Sequence, residues 1–134
     1  MSTTPLLEVT GLAVQYGTGK KAFTAVSDVS FTIMPGQVVG LVGESGSGKS
    51  TIGKAILGLE KVKSGTIKFL GTDITHDSIK KRQKTASGIR VVFQDPYSSI
   101  NPALTVGETL IEPLTVMGVK REVALEKARE VLGK

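Results

Sequence analysis

Residues Gly43-Glu-Ser-Gly-Ser-Gly-Lys-Ser50 fit the pattern G-x-x-x-x-G-K-S/T in full, and Thr51 follows. The string constrains the fold because its chemistry works in one setting, with a buried strand delivering the loop and a helix starting at its end. Both flanks comply. Val38-Val-Gly-Leu-Val42 is a continuous apolar run, the pattern of a strand buried on both faces of a parallel sheet. Beyond the loop, Ile52, Ala55, Ile56 and Leu59 recur at helical spacing and give one apolar face.

Strand, glycine loop and helix in that order turn backbone amides from Gly46 through Thr51 toward an anion. The helix N-terminus adds about half a positive charge. Lys49 is expected at the β and γ phosphates of a nucleotide, the Ser50 hydroxyl on Mg²⁺ and Thr51 near the α phosphate, with Gly43, Glu44, Ser45, Gly46, Ser47 and Gly48 completing the cradle.

The rest of the chain fits a cytosolic α/β protein. Its 134 residues have the length of one ordinary domain, and 40% hydrophobic with 22% charged residues is a globular balance. No apolar run reaches the roughly 20 residues of a bilayer span, and the start Met1-Ser-Thr-Thr-Pro-Leu-Leu-Glu8 lacks the features of a signal peptide. The absence of cysteine excludes a disulfide framework and thiolate metal sites. The net charge of +5 has a local source in Lys80-Lys-Arg-Gln-Lys84, which reads as a solvated face; with few aromatics nearby to stack on bases, nucleic acid is not expected as a partner.

Leu7, Val9, Leu12 and Val14, then Val29, Phe31 and Ile33, and later Thr66-Ile-Lys-Phe-Leu70, carry the alternation of half-buried antiparallel strands. Ile89-Arg-Val-Val-Phe93 reads as another buried strand, and the stretch from Asp73 to Ser87 holds at most a short helix. Thr105-Val-Gly-Glu108 matches a capping box that opens a helix through Leu110, Ile111 and Leu114, which Pro113 should kink or end. A last helix is expected from Arg121 to Leu132.

The stretch Val29 to Thr51, with Leu57-Gly-Leu59 and Ser64-Gly-Thr-Ile-Lys-Phe-Leu-Gly71, resembles the ATP-binding subunit of ABC transporters. Val91-Val-Phe-Gln-Asp-Pro-Tyr-Ser-Ser-Ile-Asn-Pro102, Thr105-Val-Gly-Glu108 and Glu112-Pro-Leu114 are similar to its oligopeptide, dipeptide and nickel importer branch. The resemblance runs from Leu6 onward. It implies a phosphate-loop ATPase fold of ABC type over residues 1–134. An antiparallel β subdomain and part of the parallel-sheet core carry the phosphate loop at 43–51. The Q-loop region spans 94–102, and a helical subdomain begins about residue 103.

By the same resemblance Tyr16 stacks on adenine, with Phe23 a nearby competitor, and Gln94 meets Mg²⁺ and the attacking water. The implied cofactors are ATP and Mg²⁺. Asp95 through Leu114 is implied to contact membrane-spanning permease subunits, and a second ATP-binding subunit to complete the enzyme, peripheral on the inner face of the cell membrane. Gln37 and Ala103 depart from the family's common Glu and Arg. The family's Leu-Ser-Gly-Gly-Gln string and its apolar run ending in Asp-Glu are absent, and Asp95 is a poor substitute because Gln94 interrupts the run. His76 is expected to be solvated and not the family's switch histidine.

The 134 residues are therefore expected to be a truncated piece that binds ATP without hydrolysing it, marginally stable and prone to associate. The full subunit would power uptake of peptides or a nickel-like solute. Two other readings stay open: a self-standing, non-hydrolysing nucleotide-binding module, or part of an ABC protein without a transport role.

Overall fold

The computed structural model describes residues 4–86, 88–92, 94–95 and 100–133. The chain divides into two units, residues 1–90 and 91–134.

In the first unit, β1 (Leu7–Tyr16) is the central ladder. It pairs antiparallel with β2 (Phe23–Ile33) on one side and with β3 (Val62–Phe69) on the other, and a short β4 (Thr72–Asp73) pairs with β3. The order is β2-β1-β3-β4. The alternation expected for β1 is observed, with Val9, Leu12 and Val14 buried. β2 starts six residues before the expected Val29, because Phe23, Thr24 and Val26 register against Tyr16, Gln15 and Val14 of β1.

Helix α1 (Lys49–Leu57) buries Ile52 and Ala55 in the same core as Val9, Leu12, Val26 and Ile67. Leu59 lies beyond its end and is half exposed, because Gly58 turns left-handed and stops the helix. The polar stretch does hold a short helix, α2 (Ile79–Thr85), capped by the Ser78 hydroxyl, which accepts from the Lys81 amide.

Two expected strands do not form. Residues 37–44 make no ladder, and Val38 and Val42 are 100% and 94% exposed. Val91 and Val92 likewise pair with no strand and are exposed, while Phe93 lies outside the described residues. A parallel strand exists only through neighbours that bond its two edges. Among the described residues the sheet is wholly antiparallel, so neither run has one.

The second unit is a helix pair, α3 (Val106–Val116) and α4 (Arg121–Leu132), with Ile111 and Ala124 fully buried. The capping box is present in both halves. Thr105 Oγ1 accepts from the Glu108 amide at 3.2 Å, and Glu108 Oε2 accepts from the Thr105 amide at 2.9 Å. Pro113 does not end α3, which continues three residues to Val116. Proline removes the hydrogen bond to the carbonyl four residues earlier and crowds that turn, yet α3 runs past it with α4 packed alongside.

Candidate phosphate-binding site

The loop is built from a turn and a helix start. Pro35-Gly36 reverses the chain after β2, closed by Gln37 Oε1 accepting from the Met34 amide at 2.8 Å. A glutamate there would accept the same bond, so the Gln37 departure leaves the turn intact. Within the loop the Ser47 amide donates to the Glu44 carbonyl at 3.2 Å, and the first helical bond runs from the Ile52 amide to the Gly48 carbonyl at 2.9 Å.

Gly48 is the N-cap of α1 at φ 93°, and a Cβ there would lie 2.5 Å from the Ala25 carbonyl oxygen of β2. Only glycine fits both demands. No side chain caps this helix, so the first-turn amides of Lys49, Ser50 and Thr51 carry donors that the helix itself does not use.

The Lys49 ammonium lies over the loop. It donates to the carbonyls of Gly43 and Glu44, each at 2.6 Å, and to Ser47 Oγ at 3.2 Å. Its charge therefore sits beside the positive end of α1, whose first turn holds no acidic residue. Two cationic features converge on one exposed loop, which is the electrostatics of an anion site. The residue types fit a nucleotide triphosphate: glycine-lined backbone, a lysine, and the Ser50 and Thr51 hydroxyls.

Tyr16, at the end of β1, reaches this helix start, where its hydroxyl donates to Thr51 Oγ1 at 3.5 Å. Phe23 registers directly opposite Tyr16 and is 64% exposed, so both candidate aromatics stand at one end of the β1–β2 ladder. Gln94 belongs to the second unit and is exposed. Pro96–Ser99, within the expected Q-loop region and docking segment, lie outside the described residues. His76 is exposed as expected. Among the described residues no three His, Asp, Glu or Cys side chains cluster to hold a metal.

One feature of the basic run escaped the sequence reading. Lys80, Lys81 and Lys84 are exposed, but Arg82 turns inward and is 5% exposed. Among the described residues of this segment, Ala86 one turn later is also buried.

Residues 26–134 match the ABC transporter family. The chain belongs to that family. It is 43% identical over 133 residues to a protein of Brucella ovis named as a peptide import ATP-binding protein, covering 98% of this chain and 42% of that one. It is 41% identical over 122 residues to the glutathione import ATP-binding protein GsiA of Salmonella paratyphi A, covering 86% and 20%. It is 45% identical over 92 residues to the oligopeptide transport ATP-binding protein OppF of Haemophilus influenzae, covering 69% and 28%. The chain thus spans less than half the length of the curated relatives it matches. Among solved structures it resembles the ATP-binding cassette MJ0796, a dimer in a post-hydrolysis state bound to ADP and phosphate. The TM-score is 0.73 at 25% identity, over 95% of this chain and 56% of that one. The fold is of the ABC ATPase type, represented by its antiparallel sheet, the phosphate-loop helix and a helix pair. No described helix is long and apolar enough to cross a membrane.

Proposed function

We propose that the chain binds ATP-Mg through residues 43–51, as part of an ABC importer ATPase subunit that powers uptake of peptides or a nickel-like solute. The observation that carries this is the Lys49 ammonium held on the Gly43 and Glu44 carbonyls, beside the uncapped start of α1. In this reading the loop amides and Lys49 hold the phosphates, Tyr16 stacks on the base, and Ser50 and Gln94 supply protein ligands to Mg²⁺. Magnesium keeps most of its waters and takes few protein ligands, which suits a site with so few protein oxygens to offer.

The segment Asp95 to Leu114 contacts the permease subunits at the inner face of the membrane, and a second ATP-binding subunit completes the pair. The names of the Brucella, Salmonella and Haemophilus relatives, all import or transport ATP-binding proteins, support the importer branch. The 134 residues contain no run ending in Asp-Glu to orient an attacking water, so this chain by itself binds without hydrolysing.

Calorimetric titration of the chain with ATP-Mg tests the reading. Lys49→Met is expected to weaken binding by about tenfold to a hundredfold, the equivalent of one or two charge-assisted hydrogen bonds. Equal affinity of the two proteins would sink it. Release of phosphate by the unmodified chain would overturn the claim that binding and hydrolysis are separate here.

A further inference from the structure

We infer that Arg82 is a positioning residue for the phosphate-binding loop, acting on it through α1. The inference rests on the loop reading above but concerns a residue on another helix.

The Arg82 guanidinium lies across the C-terminal end of α1. Its Nη1 donates to the carbonyls of Ala55 at 3.0 Å and Ile56 at 2.5 Å in the last turn, where the Ala55 carbonyl also accepts from the Gly58 amide at 3.0 Å. A fixed positive charge there also opposes the negative end of the helix dipole. The approach depends on Gly58, because a Cβ at that position would lie 2.8 Å from Arg82 Nε.

The other arm of the guanidinium holds the turn that follows β4. Nη2 donates to the carbonyls of Ile74 and, at 3.1 Å, Thr75. That turn is itself fastened to β3: the Thr75 hydroxyl accepts from the Ile67 amide at 2.8 Å, and the Ile74 amide donates to the Ile67 carbonyl at 2.9 Å. Ile67 is fully buried in the core. One planar side chain therefore joins the end of α1 to the turn after β4, and through that turn to Ile67 of β3, a geometry that a lysine's single point of donation cannot reproduce.

The opposite end of α1 is the loop. There Gly48 lies against the Ala25 carbonyl of β2. A nine-residue helix, about 13 Å long, is thus held at both ends, on β2 at its N-terminus and through Arg82 on β3 at its C-terminus. Phosphate contacts are sensitive to placement on the 1 Å scale, so releasing one end of the helix moves the other out of register.

Arg82→Lys keeps the charge and loses the fork. With both proteins held well below their unfolding temperatures, the variant is expected to bind ATP-Mg about tenfold more weakly than the unmodified chain. A residue that serves stability alone would lower the melting temperature and leave this affinity unchanged. Because the variant can fail to fold, the second measurement uses the unmodified chain: amide exchange of α2 with and without ATP-Mg. Linkage is reciprocal, so a ligand that fixes the start of α1 must slow exchange at Arg82 and Ala86. If the chain binds ATP-Mg, yet Arg82→Lys keeps full affinity or α2 exchange is unmoved while the loop amides are protected, the inference is overturned and the loop reading stands. If the unmodified chain does not bind ATP-Mg, the loop reading falls, and this inference with it.

Discussion

Gly48 and Lys49 are neighbours with separable duties, one steric and one electrostatic. Gly48→Ala places a methyl 2.5 Å from a backbone oxygen at φ 93°, where neither atom can swing away. The expected outcome is a loss of stability above about 1 kcal/mol together with weaker ATP-Mg binding, since the loop must shift off β2 to make room. Lys49→Met removes a charge and leaves the backbone path alone, so affinity should fall while the melting temperature stays near that of the unmodified chain. Thermal melts beside calorimetric titrations separate the two. A Gly48→Ala chain as stable as the original would refute the close approach to Ala25.

At the scale of elements, α3 is set by its first turn. Thr105→Ala removes the hydroxyl that accepts from the Glu108 amide, and exchange of that amide should quicken about fivefold, the equivalent of a lost N-cap bond. The Glu108 carboxyl accepts first from the Thr105 amide and then from its hydroxyl, which holds its pKa below the ordinary 4.5. A lowered carboxyl pKa favours the folded form only while the group is ionised. This contribution is thus complete above pH 4.5 and is lost as pH falls through the folded value, so circular dichroism should show α3 fraying on acidification but not between pH 6 and 8. Glu108→Gln should remove that acid dependence.

Features like this box were legible in the sequence because they are local: Thr105, Glu108 and the Gly43–Thr51 loop each specify their geometry within a few residues. Val38–Val42 was legible only as a type. Its apolar run marks a strand meant for burial, but a strand needs partners that composition cannot supply. Arg82 was hidden for the same reason, since the direction it faces is decided by carbonyls 26 and 27 residues upstream and by a turn seven and eight residues before it.

At the scale of the whole molecule, large apolar side chains stand exposed among the described residues. Val38, Val42 and Val92 contribute at 100%, 94% and 96% exposure, β-branched residues on backbone with unpaired edges. Apolar surface of this kind is removed from water by self-association if nothing else covers it. Sedimentation velocity over a hundredfold range of concentration should therefore show the monomer fraction falling as concentration rises. Val38→Thr with Val42→Thr keeps the side-chain shape and exchanges a methyl for a hydroxyl, so the doubly substituted chain should stay monomeric to higher concentration. Its melting temperature should not fall, because these side chains contribute no burial to the fold. A single monomeric species throughout, in both proteins, would mean that the exposed valines are not where this chain spends its apolar surface.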